Sequence, residues 1–358
     1  MPNIPSASGY FRTSYREDFA LVDTRLQKYS LIAFCVMLLI LPWIAKPLLL
    51  DLANQVFLAA IGAIALMLLT GVAGQISLGH AGLLAAGAFT AGILVKEFAL
   101  PIWITLPASA FTGAILGFIF GLPSLRLRGL YLAVSTLGLH FIVLYLGTEY
   151  ETRRGFSTGI LLDPPKLGNW TLTDGRAWYF VLLVFAAGTT WLALNLLRSK
   201  TGRAWRALRT NETVAGALGV NVAGYKLLAF VISSTLTAVA GCLFAYYRSF
   251  VSIEAFSLFI SIQYIAMVII GGMGSILGAL LGAVFVVLLP YGVEWATTML
   301  PFAGQVSGLV FAINHVVFGL VMVLFLLFEP HGLVGIWHRI QNYFLLWPFN
   351  QTTASGGK

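Results

Sequence analysis

The chain has 358 residues, of which 59% are hydrophobic and only 9% are charged. Soluble domains are about 45–50% apolar and about 25% charged, so the composition excludes a single soluble domain. At about 20 residues per span plus loops, the length predicts roughly ten membrane helices. In a soluble protein, the formal net charge of +8 would suggest nucleic-acid binding. In a membrane protein it bears instead on orientation, because Lys and Arg favour the cytoplasmic side.

Apolar runs along the chain predict an all-α, polytopic membrane protein with about ten transmembrane helices. Helices are predicted rather than strands because the runs are apolar all round, whereas barrel strands alternate apolar and polar residues. A polar segment, residues 1–28, precedes the first run. The predicted spans are about 29–45, 52–70, 76–95, 102–121, 130–147, 177–197, 226–247, 257–272, 275–290 and 308–328.

The distribution of charge predicts that both termini are cytoplasmic. With ten spans and the N-terminus inside, 14 of the 21 Lys and Arg residues and five of the 13 acidic residues fall in inner segments. The Lys and Arg bias sets topology, so this two-to-one split favours an even span count. A permease domain over residues 29–328 is predicted, with a cytoplasmic N-terminal segment at 1–28 and a cytoplasmic tail at 329–358.

Two long polar segments interrupt the apolar runs. Residues 148–176 contain Pro164-Pro165 and Asp174-Gly175, which are turn signals, and they form a predicted periplasmic loop. Residues 198–225 form a predicted cytoplasmic coupling segment, an amphipathic helical hairpin. A connector between antiparallel spans needs only a few residues. The length and basic first half of this segment therefore favour docking of a cytosolic partner through Arg203, Arg206 and Arg209; the alternative is a solvated connector.

No catalytic, cofactor-binding or metal-binding residues are predicted. The sequence lacks the phosphate-binding G-x-x-x-x-G-K-[ST] loop, an H-E-x-x-H pair and a CxxC pair. Its two cysteines, Cys35 and Cys242, lie in apolar runs. Every Asp and Glu can be placed in a loop or at a span end, which argues against proton coupling through an intramembrane carboxylate. A Na⁺ site built from backbone carbonyls would leave no such sequence signal.

The densest polar cluster within an apolar region runs from Gly71 to Gly82. Polar side chains at membrane depth face protein or a cavity, and interrupted helices often line transport sites. Two interpretations stay open: a face of small residues for helix packing, or lining of the translocation pathway. The pathway candidates are Gly74, Gln75, Ser77, Gly79 and His80.

A second glycine-rich segment lies between the eighth and ninth predicted spans. Its spacing of small residues is typical of close helix packing, and the alternative is a mobile hinge. The residues concerned are Gly271, Gly272, Gly274, Gly278 and Gly282.

Four stretches together resemble the LivM-type permease subunit of branched-chain amino acid ABC importers. They occur in family order and cover most of the chain from residue 52 to 290. They read GQISLGHAGLLAAGAFTAGIL (74–94), LRLRGLYLAVSTLG (125–138), GRAWRALRTNETVAGALGVNVAGYKLLAFVIS (202–233) and IIGGMGSILGALLGAVFVVLLP (269–290).

The resemblance implies a multi-pass permease of the bacterial inner membrane, paired with a homologous second permease. It implies two cytosolic ATPase subunits that use ATP, a periplasmic substrate-binding protein, and no cofactor or nucleic acid bound by this chain. Glu212, Ala215 and Gly219 resemble the Glu-Ala-Ala…Gly loop that couples importers to their ATPases. Thr213 replaces the first Ala of that loop, and Gly219 falls one residue late.

Three other functions are alternatives to a branched-chain amino acid permease. The same machinery could carry urea, an amide or another small solute, and the residues discriminate poorly between these substrates. An ATP-independent channel or ion-coupled carrier would not need the long inner hairpin. A membrane enzyme would need a catalytic constellation, and the sequence contains none that is recognisable.

Overall fold

The protein is described by a computed structural model over residues 25–127, 129–156, 159–167, 170–299 and 310–346. Most of the predicted segment 1–28 and the end of the predicted tail, 347–358, lie outside these residues. The chain divides into two compact units, Met1–Lys46 with Gly335–Lys358, and Pro47–Val334. The second unit carries all of the candidate sites.

Helices account for most of the described residues. They are α1 Arg25–Ile44, α2 Pro47–Leu66, α3 His80–Phe98, α4 Ile102–Gly121, α5 Leu130–Arg154, α6 Gly175–Arg198, α7 Lys200–Thr210, α8 Glu212–Ala217, α9 Val222–Arg248, α10 Leu258–Gly271, α11 Ile276–Thr298, α12 Val310–Phe328 and α13 Gly332–Leu346. A π-helical turn, Met67–Val72, continues α2, and short 3₁₀ turns cover Pro123–Leu125 and Ile253–Phe256.

Four two-residue strands lie in the connections between helices. β1 Ile160–Leu161 pairs antiparallel with β4 Phe250–Val251, so that Ile160 lies opposite Val251. β2 Lys166–Leu167 pairs with β3 Trp170–Thr171. The first pair ties the segment after α5 to the end of α9.

The predicted helical membrane fold is confirmed. Within the described residues, eight helices are long and apolar enough to cross a bilayer. A ninth span results if α12 and α13 count as one helix bent by 54°, and Tyr29–Ile44 is a shorter apolar helix. The count of about ten spans and the cytoplasmic position of both termini stay predictions.

Several helix boundaries differ from the predicted spans. α3 begins at His80 rather than at 76, because residues 73–79 leave helical geometry. α5 continues to Arg154 rather than ending at 147; Glu149 and Arg153 pair one turn apart on it, and Gly155 with φ 70° ends it. α11 continues through Pro290 to Thr298. The predicted start of the tenth span, 308, lies outside the described residues.

α9 lies at the centre of the Pro47–Val334 unit and packs against α2, α3 and α4. Small residues permit these close approaches: a Cβ on Gly87 or Gly113 would meet the backbone of α9, and one on Gly241 would meet the backbone of α3. Helices in lipid associate through such contacts, because burial of apolar surface supplies little net driving force there.

Candidate functional site

The predicted coupling segment folds as two short helices, α7 and α8, joined at Asn211. Ser199 accepts a hydrogen bond from the N–H of Thr201 at the start of α7, and Asn211 accepts hydrogen bonds from the N–H groups of Thr213 and Val214. Ser and Asn are preferred at these positions because their side chains satisfy backbone N–H groups that have no partner within the helix. The helical hairpin predicted from the sequence is therefore present.

The apolar face of α7 is buried against α9. Trp205 is fully buried, Leu208 is nearly so, and the indole Nε1 of Trp205 donates to the carbonyl of Tyr225 at 2.9 Å. This contact fixes the hairpin on the first turn of α9. The hairpin end is, from here on, the end of the unit that carries α7 and α8, and the far end is the opposite end, where α9 finishes at Arg248.

The three predicted coupling arginines have different contacts. Arg203 Nη1 donates to the carbonyl of Arg198 at 3.2 Å, and Arg206 Nη2 donates to the carbonyl of Leu197 at 2.8 Å. Both guanidinium groups therefore satisfy carbonyls at the end of α6, where a helix favours positive charge. Arg209 instead donates to the carbonyl of Gly71 in the π-helical turn.

Arg209 joins two glycine segments that the sequence singled out separately. Its side chain lies against Gly74, which has φ 73°, and against Gly274, which has φ 86°. A Cβ on Gly274 would lie 2.9 Å from Arg209 Nη1 and 3.0 Å from the carbonyl oxygen of Gly71. The hairpin, the end of α2 and the turn between α10 and α11 therefore meet at one guanidinium group.

A partly buried ion pair holds α8 to α9. Lys226 Nζ lies 2.6 Å from Glu212 Oε1, with the two side chains 4% and 22% exposed. Lys226 Nζ also lies 3.5 Å from the carbonyl of Ser124, and Gln75 Nε2 donates to the Lys226 carbonyl at 3.3 Å. Sequence reasoning placed Lys226 only at a span boundary, because its partner is known only once the hairpin is folded back.

One surface of the hairpin remains exposed. Val214 is 55% exposed and Leu218 is 79% exposed, and Ala217 is exposed beside them, whereas Ala215 is buried. We call Val214, Ala217 and Leu218 the hairpin tip. Gly219, with φ 85°, follows it and allows the chain to turn back toward α9.

The segment between the π-helical turn and α3 is not helical, and it is largely buried except at Gly74 and Ile76. The Leu78 N–H donates to Thr136 Oγ1 at 2.9 Å, and the Ala81 N–H donates to Ser261 Oγ at 2.9 Å. Non-helical backbone is tolerated at membrane depth where other groups satisfy it in this way. A Cβ on Gly79 would collide with the carbonyl of Thr136, so glycine is required there.

Four of the five predicted pathway residues belong to this segment, and the fifth, His80, begins α3. Gln75, Ser77 and His80 are buried, and Gly74 is exposed beside Arg209. The His80 ring packs against the Tyr264 ring with centroids 4.7 Å apart and the ring planes tilted by 58°. These contacts show packing, and the predicted pathway role of the five residues stays a prediction.

The glycines of the second glycine-rich segment lie at close approaches of α10 and α11. A Cβ on Gly271 would meet the carbonyl of Gly278, and one on Gly282 would meet the carbonyl of Met267. Gly272, with φ 122°, and Gly274 form the turn between the helices. The positions therefore serve close packing in this structure, and the hinge interpretation stays a prediction.

A cavity of about 140 Å³ lies between α2, α9, α10 and α11. It runs from Gln55 and Arg248, toward the far end, to Tyr264 and Leu84 at greater depth. The sequence did not predict it, although the amides of Gln55 and Gln263 within apolar runs were a signal that could have indicated it.

Most of the chain matches a known family of membrane proteins. The family profile described as "Branched-chain amino acid transport system / permease component" matches residues 48–326. The chain is 33% identical over 290 residues to the high-affinity branched-chain amino acid transport system permease protein LivM of Escherichia coli (strain K12), covering 74% of this chain and 68% of the relative. No solved structure matches it.

Two archaeal relatives extend the comparison. The probable branched-chain amino acid transport permease protein LivM of Methanocaldococcus jannaschii is 28% identical over 229 residues, covering 63% of this chain and 66% of the relative. The probable LivH permease of the same organism is 26% identical over 269 residues, covering 71% of this chain and 82% of the relative.

Proposed function

The chain belongs to the family of permease components of branched-chain amino acid transport systems, and on that premise we propose that it is the membrane permease subunit of an ATP-binding cassette importer for leucine, isoleucine and valine. The family membership predicted from its motifs is thereby confirmed. As a chain with many apolar helices it is a multi-pass membrane protein. We propose that it lies in the bacterial inner membrane.

The proposed complex contains four kinds of subunit. This chain pairs with a homologous second permease, a pairing supported by its similarity to both LivM and LivH permeases. Two cytosolic ATPase subunits use the ATP, and a periplasmic binding protein delivers the amino acid. The chain itself has no ATPase site, catalytic residue, metal or cofactor in this proposal, and it binds no nucleic acid.

The hairpin tip is the observation that carries the proposal. Exposed apolar side chains on a short helix, at a position fixed by buried contacts, form a docking surface that another protein can cover. The aliphatic tip offers the apolar contact typical of the centre of a protein interface, while the arginines of α7 are occupied with carbonyl groups.

The contacts behind the tip supply a route for coupling. Motion of α8 acts on α9 through Glu212 and Lys226, and motion of α7 acts on the end of α2 and on the α10–α11 turn through Arg209. ATP-driven closure of the two ATPases would thus move several transmembrane helices together, as alternating access requires.

The test replaces Leu218 with Glu in the complete complex. A carboxylate in an apolar interface is costly to desolvate, so Leu218→Glu is expected to abolish co-purification of the ATPase subunits and ATP-dependent leucine uptake in proteoliposomes. Leu161→Glu at the far end, where Leu161 is 70% exposed, is the matched control for co-purification. Retained ATPase binding by Leu218→Glu, or leucine uptake without any ATPase subunit, would contradict the proposal.

A further inference from the structure

The cavity that opens toward the far end combines apolar walls with polar groups at its mouth. Phe244 and Phe256 form part of the wall, with ring centroids 5.7 Å apart. Gln55, Gln263 and Arg248 supply the polar groups. Ligand sites in proteins typically show this arrangement of mostly apolar lining with a few polar groups that orient the ligand.

The mouth carries the positive charge of Arg248, and a carboxylate lies directly behind its lining residue Gln55. Arg248 lines it, and its guanidinium lies 6.0 Å from the centre of the Tyr247 ring. The hydroxyl of that same Tyr247 donates to the carboxylate of Asp51, which also accepts a hydrogen bond from Gln55 Nε2 at 2.7 Å. Within the described residues no ion pair involves Arg248, so its charge is available to a ligand.

The size of the cavity fits a short aliphatic side chain. An apolar cavity of about 150 Å³ holds a molecule of benzene, so one of about 140 Å³ holds the four carbons of a leucine side chain. The ammonium and carboxylate groups would then remain at the mouth, beside Arg248 and the Gln55 amide that is hydrogen-bonded to Asp51.

We propose that this cavity is a binding site for a zwitterionic amino acid, in which Arg248 pairs with the α-carboxylate and the branched side chain packs against Phe244 and Phe256. The inference rests on the proposed function and adds to it where the substrate is held and which groups hold it. Asp51, through its contact with Gln55, provides the negative charge for the ammonium group.

The floor of the site separates it from the hairpin end. Tyr264 lines the cavity and packs against His80, which begins α3 directly after the non-helical segment. A Cβ on Gly62 would come within 2.5 Å of the Tyr264 ring, so the ring is closely enclosed. Release of the amino acid toward the hairpin end therefore requires this pair of rings to separate.

The experiment measures protection of an introduced cysteine in the reconstituted complex. Cys35 and Cys242 are first replaced by Ala, and Ala255, which lines the cavity, is replaced by Cys. Methyl methanethiosulfonate, a small thiol reagent, modifies this cysteine. L-leucine is expected to slow the modification severalfold. Isoamylamine, which lacks the carboxylate, and glycine, which lacks the side chain, are expected to give no protection at the same concentration.

Matched variants assign the role of Arg248. Arg248→Gln is expected to raise the half-protecting leucine concentration about tenfold, because a charge-assisted hydrogen bond is lost. Arg176→Gln, an exposed arginine at the same end but outside the cavity, is expected to leave it unchanged. Equal effects of the two substitutions would overturn the assignment of Arg248.

Two further outcomes separate this inference from the proposed function. If the unmodified complex takes up leucine in an ATP-dependent manner but leucine fails to protect Ala255→Cys, the site is overturned and the proposed function stands. The same holds if leucine protects a control cysteine at Ala177, which lies outside the cavity, equally well. If the unmodified complex takes up no leucine, the proposed function itself fails, and the ligand assigned to this site fails with it.

Discussion

The ion pair between Glu212 and Lys226 joins α8 to α9 through two side chains. Charges withdrawn from water are tolerated when they are paired, and removal of one partner leaves the other uncompensated. The Lys226 side chain is 4% exposed and that of Glu212 is 22% exposed. The pair therefore connects α8 to α9 without the freedom of a surface ion pair.

Lys226→Met is expected to destabilise the purified permease by about 3 kcal/mol, because the partly buried Glu212 carboxylate would lose the ammonium group that lies 2.6 Å from it. Thermal unfolding in detergent measures the effect. Arg153→Ala removes an exposed pair with Glu149 and is the control, with an expected loss of at most about 0.5 kcal/mol. Equal shifts for both variants would show that burial does not strengthen the Glu212–Lys226 pair.

Arg209 offers a second test at the scale of one residue. Arg209→Ala removes a charged donor from the Gly71 carbonyl, a loss of about 1.5 kcal/mol that corresponds to about tenfold in an equilibrium. We expect ATP hydrolysis to continue while leucine uptake per ATP falls about tenfold. Arg203→Ala, whose contact lies within the α6–α7 connection, is expected to retain the ratio.

At the scale of elements, close approach of α10 and α11 depends on glycine. Gly282→Ala would drive a Cβ into the Met267 carbonyl, so a destabilisation of about 2 kcal/mol is expected from overpacking. Gly188→Ala on α6, where a Cβ would meet nothing within 4 Å, is the control and is expected to cause no loss. Membrane abundance and melting temperature measure both. A tolerated Gly282→Ala would show that the two helices can separate at low cost.

Some elements could be predicted from the sequence and others could not. The break before His80 follows from glycine and polar residues concentrated in an apolar region, and the hairpin follows from its length and amphipathic pattern. The extension of α5 to Arg154 was missed because its last two turns are polar, and pairing of Glu149 with Arg153 stabilises them. The cavity could not be predicted, because its walls come from helices distant in the sequence.

The two ends of the whole molecule should lie on opposite sides of the membrane. With Cys35 and Cys242 replaced by Ala, Leu161→Cys at the far end is expected to react in intact cells with a membrane-impermeant maleimide. Leu218→Cys at the hairpin tip is expected to react only after the cells are opened, because Lys and Arg favour the cytoplasmic side and the hairpin is predicted to lie there. Reaction of both positions in intact cells, or the reverse pattern, would contradict the predicted orientation.

The π-helical turn at Met67–Val72 contains one residue more than an α-helical turn would at the end of α2. A π turn has wider hydrogen-bonded rings than an α turn, and its conversion to α geometry shifts the register of the residues beyond it. One residue of an α-helix corresponds to about 100° of rotation and about 1.5 Å of rise. The Gly71 carbonyl held by Arg209 lies within this turn. A pull on the hairpin through Arg209 can therefore change the register of this turn and rotate the end of α2 that lies next to the hairpin.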